Sequence, residues 1–326
     1  MAGRSLWVLS LLFVTQVAFA QQQTFREFIQ SVQKDALEQG VSKETIELLS
    51  KQSKPFKKLG DKEPTRNEVS PKSLGAYLKS EVPDSKLNYL ADFVDKYKQS
   101  ISDISKHYNV QPRFILAAWA LAADDSSNNS SFPVISIYSS MAYETSKDTY
   151  KKQLFSSLKS IDSNKIAPQD FKSDSNGKMG QLAFTPMLFA EYGQDWDNDG
   201  KFDIWHNNLD SLATTAYFLQ KNGWNDSMTW GRQVAINSKI ELADEGLTPQ
   251  PFSHWVSLGI TKYNGSALPN RDDITAQLIQ PVKTDNRHYL TYENFNILEM
   301  LPDVDQKKAL AITYLSEKIK PILRKK

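Results

Sequence analysis

Four aspartates stand at alternate positions around one glycine in Asp195-Trp196-Asp197-Asn198-Asp199-Gly200-Lys201-Phe202-Asp203. A hard cation such as calcium takes about six to eight oxygen ligands, and a loop of this spacing can turn alternate side chains toward one centre. Gly200 falls at the sixth place, where such a loop needs a backbone with positive φ. Carboxylates packed this densely repel one another unless a cation neutralises them. The plainer reading is that aspartate and glycine form turns, and that the segment closes without metal. The twelfth place, commonly a bidentate glutamate, is His206. His107, His206, His254 and His288 share no spacing that suits zinc or a nucleophile–base pair.

The elements that must carry this loop are mostly helical. Thr24 with Glu27 three places on has the form of a capping box, and Phe25, Phe28, Ile29, Val32, Ala36 and Leu37 follow on one stripe up to Gly40. Ser42 opens a second helix carrying Ile46, Leu48 and Leu49. Residues 51–80, rich in Lys, Ser and Pro with weak periodicity, are expected to form an extended connection. Leu87, Leu90, Val94, Tyr97, Ile101, Ile104 and Tyr108 mark a long amphipathic helix. Pro112 begins another, apolar all round to about Ala123 and therefore central. Helical patterns continue over 150–158, 186–192, 209–221 and 229–237, and a last helix over 306–319. Prolines 249, 251, 269 and 281 punctuate short apolar pieces over 254–260 and 276–279, which predicts a small β-rich subdomain across 248–293.

Composition sets outer bounds. The chain has 326 residues, 40% hydrophobic and 24% charged, enough for one large domain or two modest ones. The formal net charge is +1, so no electrostatic footprint argues for nucleic acid. Arg4, the apolar run 6–14 and Ala18-Phe19-Ala20 have the form of a signal peptide cleaved after Ala20, which predicts export to the periplasm. The run is too short for a comfortable membrane span. The chain contains no cysteine, so neither a disulfide nor a lipid anchor is expected.

The order of these segments resembles the lytic murein transglycosylase B family. The resemblance rests on residues 25–41, on 110–135, and on Gly177-Lys178-Met179-Gly180-Gln181-Leu182-Ala183-Phe184-Thr185-Pro186, which is similar to the family's Gly-x-Met-Gly-Gln-x-Gln-Phe-x-Pro motif. The acidic loop, Asp210, Gly223-Trp224 and Asn294-Phe295 follow at family spacing. The resemblance implies a mainly α, lysozyme-like transglycosylase fold with an EF-hand-like calcium loop and a small β subdomain. The chain is therefore expected to divide into a signal peptide over 1–20, N-terminal helices and connection over 21–80, and the transglycosylase domain over 81–326. The resemblance implies that Met179, Gln181 and Phe184 line a glycan cleft, although core packing for Met179 and Phe184 and a satisfied polar role for Gln181 suit the same residues. It implies a structural Ca2+ held by Asp195, Asp197, Asp199, the Lys201 carbonyl, Asp203 and Asp210.

The family cleaves peptidoglycan glycan strands with one glutamate, which protonates the glycosidic oxygen and then takes a proton from the muramyl 6-hydroxyl, giving a 1,6-anhydro sugar. Such a carboxyl needs a raised pKa to hold its proton at neutral pH. The family pattern Trp-Gly-Val-Glu-Thr-x-Phe-Gly falls without a gap on Trp119-Ala120-Leu121-Ala122-Ala123-Asp124-Asp125-Ser126. The glutamate position is Ala122, whose methyl group carries no transferable proton. General acid–base assistance is worth roughly a hundred- to ten-thousand-fold in rate. Asp174 stands at a sugar-contacting serine of the family, Ala183 at its second motif glutamine, and Leu301-Pro302 at its Tyr-Asn pair. Asp125, about 60° round a helix from Ala122, is the candidate substitute acid. With Asp124 it equally marks the helix end, where it opposes the helix dipole.

Three functions follow from the sequence. The first is a catalytically impaired periplasmic relative that binds peptidoglycan glycan strands or other cell-wall enzymes. The second is an active lytic transglycosylase using Asp125, and the third a protein–protein scaffold of cell-wall enzymes.

Overall fold

The computed structural model describes residues 23–56, 73–122, 130–236 and 248–324. The signal-like segment and Asp125 lie outside the described residues.

Helix α1 (Phe25–Glu38) begins as its capping box predicts: the Thr24 hydroxyl accepts from Glu27 N, and the Glu27 carboxylate accepts from Thr24 N at 2.8 Å. Its buried stripe is Ile29, Val32 and Ala36. Ser42 caps α2 (Lys43–Gln52). Asp162, at the end of α7 (Asp148–Asp162), accepts from Ser42 N at 3.2 Å and the Thr45 hydroxyl at 2.9 Å, so the N-terminal pair is joined to the body at a helix start. The expected extended connection is corrected at its far end, where Leu74–Glu81 forms α3 behind the N-cap Ser73. Leu74 and Leu78, one turn apart, are both buried, and that packing outweighs the weak local pattern.

Helix α4 (Asp84–Tyr108) is the long amphipathic helix, interrupted at Tyr97 by non-helical φ/ψ. Helix α5 (Pro112–Ala122) is central, with Phe114 to Trp119, Leu121 and Ala122 all buried. Strand β1 (Phe132–Pro133) pairs antiparallel with β2 (Lys172–Ser173). Between them lie α6 (Val134–Thr145), which residue pattern alone did not predict, and α7. Helices α8 (Pro186–Tyr192) and α9 (Asn208–Lys221) fall where expected.

The segment 229–237, expected as a helix, forms strand β3 (Gly231–Ala235) instead. It lies inside a five-stranded antiparallel sheet of order β4-β6-β7-β3-β5, made with β4 (Gln250–Pro251), β5 (Thr261–Lys262), β6 (Thr275–Ile279) and β7 (His288–Thr291). Gly231 has φ +149, and a Cβ there would stand 2.4 Å from the Leu290 carbonyl, so the close pairing with β7 needs glycine. Residues 252–257, read as part of a β-rich stretch, form a short helix α10 (Phe252–Ser257) that buries Phe252 and Trp255. These two pack with Val234, Leu278 and Leu290 into a core separate from the main one. Helices α11 (Glu293–Glu299) and α12 (Gln306–Arg324) return the chain to the main core, where α12 packs along α5.

Asp285 joins the β subdomain to α3. Its carboxylate accepts from Leu74 N at 3.0 Å and pairs with the Arg287 guanidinium at 2.6 Å. The hydrogen bonds from Arg287 are the main cause that brings its pKa down to about 2. The unfolded value is about 3.9. A group depressed on folding stabilises above the unfolded value, and that stabilisation is lost as pH falls through the folded one. Asp285→Ala is therefore expected to cost about 1–3 kcal/mol in urea unfolding at pH 7. The difference from the parent should shrink between about pH 4 and pH 2.

Candidate functional site

The last turn of α5 brings Trp119 and Ala122 to one face. Ala122 is 1% exposed, in contact with no solvent of consequence. Its carbonyl accepts from the Lys308 ammonium at 3.4 Å, and the Ala120 carbonyl accepts from Lys86 at the same distance. Trp119 is packed against Phe93 (ring centroids 4.8 Å apart), and both neighbour the exposed ring of Tyr89.

Gln181 is the hub of the motif loop. Its Oε1 accepts from the Trp119 indole N–H at 2.7 Å. Its Nε2 donates to the Trp205 carbonyl at 3.2 Å and to Asn208 Oδ1 at 3.0 Å, and its backbone N–H donates to the Ile204 carbonyl at 2.8 Å. One side chain thus connects α5, the motif loop, the end of the acidic loop and the start of α9. Gly180 allows this approach: its φ is +59, and a Cβ would lie 2.5 Å from the Ile204 carbonyl oxygen. Met179 and Phe184 exchange two backbone hydrogen bonds across the loop, and both are fully buried. A glycan arriving from solvent would meet neither side chain. The two fix the loop that presents Gln181, which is the core reading of these residues.

Asp174 acts locally, its Oδ1 accepting from Asn176 N and Lys178 N at 2.8 Å each. Lys178 in turn pairs with Asp303 at 3.1 Å. Leu301 is buried, so an apolar group fills a place where the resemblance implies a polar one.

In the acidic loop the carboxylates of Asp195, Asp197 and Asp210 offer oxygens that all lie within 4.8 Å of one another. Asp210, in the first turn of α9, is fully buried and accepts from Trp196 N at 2.8 Å and Asp203 N at 3.0 Å. Burial, with the charges of Asp197 and Asp195, pushes its pKa up to about 6 against those two hydrogen bonds. Asp199 Oδ1 accepts from Lys201 N at 2.8 Å, and Asp203 Oδ1 from Trp205 N and His206 N at 2.9 Å each. Of the six expected ligands, three carboxylates converge; Asp195 accepts from Asp199 N and Gly200 N, and Asp197 from Asn207 Nδ2, while Asp199 and Asp203 each commit one oxygen to the turn. Gly200 has φ +88, as its place in the loop predicts.

Sequence reasoning missed Asn208, Trp205 and Lys308. Gln181 and Asn208 are 27 residues apart, and Lys308 and Ala122 are 186 apart. No local pattern signals either contact.

Comparison with known proteins accords with this arrangement. The model of the transglycosylase SLT domain matches residues 24–301, and the chain belongs to that family. The structure is similar to SltB3 from Pseudomonas aeruginosa in complex with NAG-NAM-pentapeptide, with a TM-score of 0.80 and 23% identity over 91% of this chain and 80% of that one. It is also similar to the soluble lytic transglycosylase SltB1 of the same organism (TM-score 0.75, 20% identity, 91% and 98% covered). The Escherichia coli lytic transglycosylase Slt35 in complex with calcium gives a TM-score of 0.74 at 17% identity, with 93% and 95% covered. These likenesses establish the fold as that of lysozyme-like lytic transglycosylases. Membrane-bound lytic murein transglycosylase B of Escherichia coli K12 is 27% identical over 99 residues, and the match spans 26% of that protein. No described helix is long and apolar enough to cross a membrane.

Replacing Gln181 by Leu would leave the Trp119 indole N–H and Asn208 without their partner. A buried polar group so stranded costs about 1–3 kcal/mol. Gln181→Leu is expected to lower stability by that amount in denaturant unfolding; a change below about 0.5 kcal/mol would mean that the junction does not hold the loop.

Proposed function

We propose that this protein is a periplasmic, peptidoglycan-binding member of the transglycosylase family that does not carry out the family's cleavage. The observation that supports it most is Ala122, closed off at the end of α5 at the position where the resemblance places the acid/base glutamate. The reaction needs one carboxyl group that gives a proton to the leaving oxygen and takes one from the attacking hydroxyl. Alanine can do neither. The complex of SltB3 with NAG-NAM-pentapeptide supports glycan strands as the ligand class. Gln181, with the aromatic column of Tyr89, Phe93 and Trp119 behind it, is the polar centre around which such a strand would lie.

The acidic loop fits calcium. Its donors are carboxylate oxygens, the hard ligands that this cation takes, and a buried Asp210 crowded by two like charges gains most from a nearby positive one. Asp195, Asp197 and Asp210 would hold the ion, with Asp199, Asp203 and the Lys201 carbonyl as the further ligands. A bound ion would neutralise the loop and fasten the start of α9 to it.

Two measurements test these readings. Purified protein is expected to co-sediment with insoluble peptidoglycan sacculi; recovery wholly in the supernatant would favour a protein–protein scaffold instead. Calcium is expected to raise the melting temperature of chelator-treated protein, and Asp210→Asn to abolish that rise. At a hundredfold excess over Kd the stabilisation is about 2.7 kcal/mol. An unchanged melt with no heat of calcium binding would remove the metal from the account.

A further inference from the structure

One helix reaches both halves of the candidate site. The N-terminal part of α4 sets Phe93 against Trp119, with ring centroids 4.8 Å apart, and its C-terminal part meets the acidic loop. There the Tyr108 hydroxyl donates to Gln194 Oε1 at 2.9 Å, and the rings of His107 and Tyr108 lie 5.7 and 6.2 Å from Trp196. Between the two parts Tyr97 leaves helical geometry, at φ −114 and ψ 19. We infer that Tyr97 is a positioning residue for glycan binding: it breaks α4 so that both contacts are made at once, and its ring backs the Phe93 that seats Trp119 and, through it, Gln181. The inference rests on the reading of Gln181 as the polar centre for a glycan strand, and it names a residue outside that centre which sets it.

The local sequence does not dictate the break. Helix α4 contains neither proline nor glycine, the residues at which helices most often bend sharply. Both parts are anchored instead. Leu90, Phe93 and Val94 are buried before the break, and Ile101, Ile104 and Tyr108 after it. The first part packs on Trp119 of α5, and the second places the Tyr108 ring 5.8 Å from Tyr217 of α9. These two docks fix the directions of the two parts, and the residue between them takes up the difference.

The path from Tyr97 to Gln181 is continuous. The Tyr97 ring lies 4.7 Å from Phe93, Phe93 lies 4.8 Å from Trp119, and the Trp119 indole N–H donates to Gln181 at 2.7 Å. Phe93 and Trp119 are buried and Tyr97 is half-buried. Taking away the Tyr97 ring would open a void beside Phe93, and close-packed neighbours relax toward such a void. The Lys96 ammonium, 4.9 Å from the ring centre, adds a cation–π contact that only an aromatic side chain can make there.

The test compares Tyr97→Ala and Tyr97→Leu, which remove the ring, with Tyr97→Phe, which keeps it. Leu49→Ala serves as a control, since it empties a buried place on α2, a helix that packs on α1, α6 and α7. The Trp119 indole N–H is followed by nitrogen-resolved NMR, and affinity is measured with a soluble NAG-NAM-pentapeptide fragment. The two ringless variants are expected to shift the Trp119 signal in the free protein and to weaken fragment binding by about three- to thirtyfold. Tyr97→Phe should keep the signal and the affinity of the parent, and Leu49→Ala should melt at a lower temperature with both unchanged. A signal and an affinity indifferent to loss of the ring would overturn the inference, as would failure of both ringless variants to fold. So would an equal loss of affinity in Leu49→Ala, which would reduce the effect to general stability. A parent chain that does not bind the fragment would instead remove the proposed function, and would leave the Trp119 shift standing.

Discussion

The hydrogen bond between the Trp119 indole and Gln181 joins the two halves of the site. Trp119 comes from the central helix α5, which is buried on nearly every side and cannot shift without disturbing the main core. Gln181 comes from a loop with little regular structure of its own, held by the buried pair Met179 and Phe184 and by the close approach of Gly180 to Ile204. The far side of the same glutamine reaches the end of the acidic loop and the start of α9. The motif loop and the acidic loop are therefore mechanically one unit. A cation that stiffened the loop would also stiffen the frame in which Gln181 sits.

Within this frame the proposed function turns on one position. Catalysis by this family's chemistry needs differential stabilisation of charge at one oxygen, and on the proposed reading the position of the carboxyl that would supply it is held by Ala122, whose methyl group is buried. Asp174 is occupied in its own turn, and Leu301 and Ala183 are buried and apolar. Binding a strand and breaking it make different demands. Binding needs shape, stacking and hydrogen bonds, whereas breaking needs a proton on call. The proposed function asks only the first of the fold.

Much of the helical frame was legible in the sequence because its signals are local. The capping box at Thr24, the cap at Ser42, the stripe of α4 and the all-apolar α5 each lie within a few turns of chain. Helix α6 escaped because Val134, Ile135 and Ile137 favour strands, and only burial on several sides makes them helical. Strand β3 was misread because its partners β5 and β7 lie well over twenty residues away in sequence. The candidate site was legible as motifs and spacing, down to the turn at Gly200. Its wiring was not: the contacts of Gln181 with Trp119 and of Lys308 with Ala122 cross 62 and 186 residues and leave no periodic trace.

The account is tested most directly by incubating the purified chain with isolated peptidoglycan and resolving the soluble products by mass spectrometry. It predicts no 1,6-anhydromuramyl fragments above the level of a buffer control. Release of such fragments in proportion to enzyme and time would show that some other carboxyl supplies the proton, and would contradict it.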